Sequence, residues 1–96
     1  MNATQIVAGL AHVSGWRLDG EGPQVAIEKS FRFADFAECL GFVNALGWVV
    51  RQLGHAPARA SIESGSEVRV RWSTPAVGGL CALDFEAARQ TDALLG

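Results

Sequence analysis

Apolar residues along the chain switch between two periods, and the switches mark its elements. Near the N-terminus Ile6, Val7, Leu10 and Ala11 recur at helical spacing behind Thr4, a capping residue, and Ser14-Gly15 closes that segment. Trp16 to Leu18 reads as a short strand, and Asp19-Gly20-Glu21-Gly22-Pro23 as a turn. From Val25 to Phe33 the residues Val25, Ile27, Phe31 and Phe33 alternate with Ala26, Glu28, Ser30 and Arg32, which predicts a half-buried strand. Lys29 falls on its inner face, a misfit that a bulge or an edge position would explain.

Ala34 to Leu53 carries the strongest helical pattern, about 30 Å of helix at 1.5 Å per residue. Phe36, Cys39, Leu40, Phe42, Val43, Leu46, Val49, Val50 and Leu53 spread over a wide apolar arc, and Trp48 lies in the middle of the opposite, mostly polar one. Gly54 stops the helix. Arg59 to Glu63 and Val68 to Ser73 flank Ser64-Gly65-Ser66 as a hairpin, with Val68, Val70 and Trp72 on one face and Arg69, Arg71 and Ser73 on the other. Thr74 to Leu80 is a loop in which Gly78-Gly79 reads as a turn, and residues 82 to 95 return to helical spacing. The order α-β-β-α-β-β-α predicts an α+β domain spanning residues 1–96, a four-stranded antiparallel sheet with three helices packed on one face.

Composition narrows the function classes. With 49% hydrophobic and 19% charged residues the chain has a core to bury, unlike a disordered segment. Eight Lys+Arg against ten Asp+Glu give a net charge of −2, without the basic excess of a nucleic-acid binder. Cys39 and Cys81 sit at no metal-ligand spacing, with each other or with His12 and His55, and read as small hydrophobes, so no metal and no cofactor are expected. No charged leader precedes an apolar run, and the greasy stretch from Phe36 to Leu53 is broken by Glu38, Asn44, Arg51 and Gln52. A cytoplasmic protein with no membrane span is expected.

Several local strings occur together in one order. They are Gly15-Trp16, then Ile27, Phe31, Phe33 and Asp35-Phe36 entering the long helix, His55 and Pro57 after it, Thr74 ending the last strand, and Gly79-Leu80 with Asp84 entering the final helix. From about Leu10 onward the chain resembles the pterin-4a-carbinolamine dehydratase family. That resemblance implies a pterin site at His55, Pro57, Thr74 and Asp84, where imidazoles move protons because their pKa lies near working pH. The family's His-His-Pro string reads His55-Ala56-Pro57 here, and its Thr-His string reads Thr74-Pro75, so one of three imidazoles remains. Arg51 replaces an acidic residue, Arg59 an aromatic one, and Cys81 a hydroxyl that would cap the last helix, leaving Asp84 as half a capping box.

The resemblance therefore implies the fold and a vestigial site without catalysis. The chain looks like the pterin-dehydratase-like proteins of α-carboxysomes, which implies Rubisco subunits as partners, a role in Rubisco assembly, a homodimer and a carboxysome-associated location. Trp48, Arg51, Arg59, Arg69 and Arg71 are the candidate partner contacts. Trp48 packs under a neighbouring chain, awaits a partner or rims the core, while Arg69 and Arg71 with Arg32, Glu28 and Glu63 also read as a solvated charged face. His55 and His12 fit histidines stabilised at helix C-termini. The alternative is a weak pterin dehydratase with His55 as its acid-base group; a dimerising coactivator of a transcription factor has no residue here to support it.

Overall fold

The computed structural model describes residues 1–96. Its elements are α1 (Ala3–Leu10), β1 (Arg17–Asp19), β2 (Ala26–Arg32), α2 (Phe36–Leu53), β3 (Arg59–Glu63), β4 (Glu67–Trp72) and α3 (Ala82–Ala93), with single 3-10 turns at Gly22–Gln24 and Pro75–Val77. The sheet is antiparallel throughout, in the order β1-β2-β4-β3. The predicted α+β architecture is thus the observed one.

Local chemistry sets the boundaries. The cap of α1 is Asn2 and not Thr4: Asn2 Oδ1 accepts the Gln5 N–H at 2.8 Å, and Gln5 Oε1 accepts the Asn2 N–H at 2.9 Å. That reciprocal pair satisfies two orphan donors, which places Thr4 inside the helix. In the same way Asp35 Oδ1 accepts the Glu38 N–H at 2.9 Å, so α2 begins at Phe36 rather than at Ala34. It ends as expected at Gly54, whose left-handed φ of 63° lets its N–H reach the Val50 carbonyl at 2.9 Å.

One face of the sheet carries the core. Ile27, Phe31, Val68, Val70 and Trp72 meet Cys39, Phe42, Leu46 and Val49 of α2 and Phe85, Ala87 and Ala88 of α3 in one buried cluster. Phe42 ties the layers together, with ring centroids 4.8 Å from Phe31 and 5.1 Å from Phe33. Each such fully buried side chain contributes about 1.5–3 kcal/mol relative to exposure. Helix α1 buries no residue fully and packs on α3, where a Cβ on Gly9 would stand 2.8 Å from the Phe85 ring.

Two expectations about the core need correction. The arc of α2 that is buried is narrower than its apolar pattern: Phe36 and Leu40 are exposed, because the sheet and α3 cover only one side of the helix. Lys29 sits neither at a bulge nor on an edge strand, since β2 runs in regular register between β1 and β4. Its Nζ instead donates to Asp92 Oδ1 of α3 at 2.9 Å and to the Ser14 carbonyl at 3.1 Å, and Trp16 Nε1 donates to the other Asp92 oxygen at 3.0 Å. A charged group on an apolar face is tolerated when it is paired in this way.

Candidate functional site

Three of the four expected site residues converge where α3 begins. Helix α2 ends at Gly54, which turns the chain so that His55 points back over the sheet, its ring 5.4 Å from that of Trp72. Strand β4 delivers Thr74 two residues beyond its end, and Asp84 lies in the first turn of α3. Asp84 is fully buried, and both its oxygens are engaged. Oδ1 lies 2.8 Å from His55 Nε2, while Oδ2 accepts the Thr74 hydroxyl at 2.8 Å and the Cys81 N–H at 3.0 Å. His55 lies just past a helix C-terminus, as expected, but its ring serves the Asp84 carboxylate rather than the helix carbonyls. Pro57 is half-buried and adds no polar contact.

The hydrogen bonds fix the proton positions. An ionised carboxylate only accepts, so Nε2 of His55 carries the proton aimed at Asp84, and Nδ1 is the ring nitrogen left to take up a proton. The Thr74 proton goes to Asp84, so at 3.4 Å from Thr74 Oγ1 the Cys81 thiol is the donor of that pair. Cys81 is the site residue that its reading as a small hydrophobe missed; its position at the cap of α3 was the available signal. Ala56 and Pro75, where the family pattern has histidines, are exposed and hold no titratable group.

The structure divides the five candidate contacts between two surfaces. Trp48 is 63% exposed on the outward side of α2, with Arg51 exposed in the last turn of the same helix. Arg59, Arg69 and Arg71 lie across the sheet on its outer face, where the register aligns Arg17, Glu28, Arg71 and Arg59 in one row. The two groups face opposite sides of the domain, so they form no single patch. Arg69 lies 3.5 Å from both Glu28 and Glu63, and Arg71 pairs with Asp19 and Glu28. The hydrogen bond from Arg71, then its charge, holds the Asp19 carboxyl below the usual carboxylate range. Arg59 has no carboxylate partner and lines an open cavity of about 390 Å³ with Asp19, Glu28, Arg69 and Arg71. No group of His, Cys, Asp and Glu has metal-binding geometry, and no helix is long and apolar enough to cross a membrane.

Comparison with known proteins places this arrangement. A candidate pterin-4-alpha-carbinolamine dehydratase of Paracidovorax citrulli is 41% identical over 95 residues, covering 99% of this chain and 80% of that one. A candidate pterin-4-alpha-carbinolamine dehydratase of Xanthomonas oryzae pv. oryzae is 42% identical over 82 residues, and there the match covers 85% of this chain but 66% of the relative's length, just under two thirds. Among solved structures, a transcriptional coactivator/pterin dehydratase from Brucella melitensis superposes with a TM-score of 0.86 at 26% identity, covering 100% of this chain and 98% of the other. A pterin dehydratase-like protein identified as a RuBisCO assembly factor in the alpha-carboxysome shares the fold, with a TM-score of 0.71 at 22% identity over 88% of this chain and 94% of that one. The model of the pterin 4 alpha carbinolamine dehydratase family matches residues 1–94, which takes in α1 as well as the stretch from Leu10 onward. With its His, Thr and Asp brought to one point on that fold, the chain belongs to the pterin 4 alpha carbinolamine dehydratase family.

Proposed function

We propose that this chain is a non-catalytic, protein-binding member of its family, a homodimer that acts as a Rubisco assembly factor of the α-carboxysome type in the cytoplasm or at the carboxysome. One observation carries the reading: the site offers a single imidazole, and one of its two nitrogens is taken up by a buried carboxylate. Dehydrating a 4a-hydroxytetrahydropterin requires a proton delivered to the leaving hydroxyl and another removed from a ring nitrogen. His55 Nδ1 can serve one of these transfers; Asp84 is sealed by its three partners and reaches neither. Each missing acid-base group costs about 10²–10⁴ in rate, so the loss of two leaves the reaction near background. The fold is kept while its chemistry is lost, as folds allow.

As an assembly factor the chain would bind Rubisco subunits transiently and shield their apolar surface until they associate. The outer sheet face, with five of the eight Lys+Arg residues, is one candidate contact surface, and the Trp48–Arg51 side of α2 is the other. Co-expression with α-carboxysomal Rubisco is expected to raise the yield of assembled enzyme. Arg59→Glu with Arg69→Glu tests the first surface and Trp48→Ala with Arg51→Ala the second; an unchanged yield with the native chain overturns the role.

The second reading, a weak dehydratase, is favoured by the free Nδ1 of His55 and by the 41% identical candidate dehydratase. Pterin turnover at high protein concentration is expected to equal that of buffer. Turnover that disappears in His55→Ala would establish the dehydratase instead.

A further inference from the structure

Helix α2 leaves an unusual surface outside. Leu40, Gly41, Asn44, Gly47 and Trp48 follow one another at helical spacing and are all exposed, Trp48 by 63% and Leu40 by 45%. Gly41 and Gly47 stand in the middle of a helix, where glycine weakens the element, yet a Cβ at either would meet nothing within 4 Å. Nothing inside this chain therefore requires them to be glycine. Beside Gly41 opens an apolar groove of about 390 Å³, walled by Phe33, Phe42, Ala45, Leu94 and Leu95, with Glu38 at its rim.

Each large exposed side chain has a glycine as its counterpart two turns away on the same face: Trp48 with Gly41, and Leu40 with Gly47. A two-fold axis crossing the helix at Asn44 exchanges the members of these pairs. We infer that α2 packs antiparallel against α2 of a second copy about an axis at Asn44, with Trp48 of each copy seated over Gly41 in the groove of the other and Leu40 over Gly47. This deepens the homodimer named above by giving it an interface, and it assigns the α2 side to self-association, leaving the arginine face of the sheet for a partner.

Charge selects the second copy and its direction. The only charged residues of α2 are Glu38 in its first turn and Arg51 in its last, with Asp35 capping the N-terminus. Antiparallel pairing brings the basic end of one helix to the acidic end of the other and opposes the two helix dipoles; parallel pairing would stack like charges. An isologous contact of this kind is closed, so the knobs and seats are consumed in a dimer and no filament follows.

Sedimentation and tryptophan emission of the full chain test the interface together. Trp16 and Trp72 are 5% and 0% exposed, so a change in emission on dilution reports Trp48. The native chain is expected to be dimeric at micromolar concentration and to shift its emission to the red as it dissociates. Trp48→Ala is expected to weaken association at least tenfold. Gly41→Leu is expected to do the same while remaining folded, since the added side chain has open space in the single chain and fills the seat from its own side. A native chain monomeric at hundreds of micromolar, or a dimer that both variants leave intact, overturns the interface. If Trp48→Ala stays dimeric yet loses Rubisco yield, the helix face contacts that partner and the self-association is wrong. If both variants dissociate the dimer while the native chain does nothing for Rubisco, the assembly role falls and the interface stands.

Discussion

Two carboxylates on α3, Asp84 in its first turn and Asp92 in its last, each hold a basic side chain from another element, and they do so in opposite surroundings. Asp84 is fully buried, and His55, Thr74 and the Cys81 N–H surround it. Asp92 is 31% exposed and shares its charge between Lys29 and Trp16, with water at hand. A half-wet pair solves a packing problem: it lets a lysine occupy the core face of β2. A sealed carboxylate orients what binds it, because every neighbour must stay in place to offset its desolvation. The first arrangement makes a scaffold and the second makes a site, whether or not chemistry still runs there.

Asp84→Ala is the harshest test of that contrast. Removing the carboxylate strands His55, Thr74 and the Cys81 N–H in a buried space, and breaking a buried pair of this kind costs about 3–5 kcal/mol. Urea denaturation should show a loss of that order. A loss under about 1 kcal/mol would mean that water replaces the carboxylate, and the two ends of α3 would then be alike.

Lys29→Met is expected to cost less, about 1 kcal/mol or below, because Asp92 keeps the Trp16 N–H and its access to water while the methionine suits the apolar face. A penalty matching that of Asp84→Ala would mean that the half-wet pair tolerates the loss of a partner no better than the sealed one.

How far these features could be read in advance follows from the range of each signal. Alternation assigned Val68, Val70 and Trp72 to the core and Arg69 and Arg71 to the outer face, because a strand's period depends on nothing beyond the strand. The family strings pointed to His55, Thr74 and Asp84 but not to Asp84 as the hub, which depends on three elements meeting at one point. Lys29 looked like a fault because its partner Asp92 lies on the last helix, out of reach of any local pattern. Apolar residues on α2 marked what could be buried, and Phe36 and Leu40 stayed out because nothing in the chain reaches that side. Periodicity also gives faces within an element without saying which layer it joins, so Arg51 and Arg59 were grouped although the core separates them.

Cys81→Ser sharpens the buried end with a gain. Cys81 is the N-cap of α3, and its thiol is a weak acceptor for the orphan N–H groups of the first turn. A serine hydroxyl fits the same place, and good caps are worth about 0.5–1 kcal/mol over poor ones. Stability should rise by about that amount with the Asp84 contacts unchanged, as a thermal melt would show. A fall instead would mean that the bond from the thiol to Thr74 matters more to the cluster than the cap does.

The smallest effect belongs to a third carboxylate of the same helix, Glu86, which lies between the other two in sequence and faces solvent. Hydrogen bonds from Arg89, then from Gln90, hold its carboxyl below the usual glutamate range. A folded-state pKa that is lowered adds stability above the unfolded value, near 4.3 for glutamate, and that stability is lost as the pH falls through the folded value. Arg89→Ala should therefore return the Glu86 titration toward the ordinary range, followed by the carboxyl carbon shift in NMR. Because the pair is exposed and screened, stability at neutral pH should drop by only about 0.5 kcal/mol, and high salt should erase most of the difference. A drop approaching that of Asp84→Ala would show that exposure does not rank the carboxylates of α3, and the contrast between its two ends would lose its physical basis.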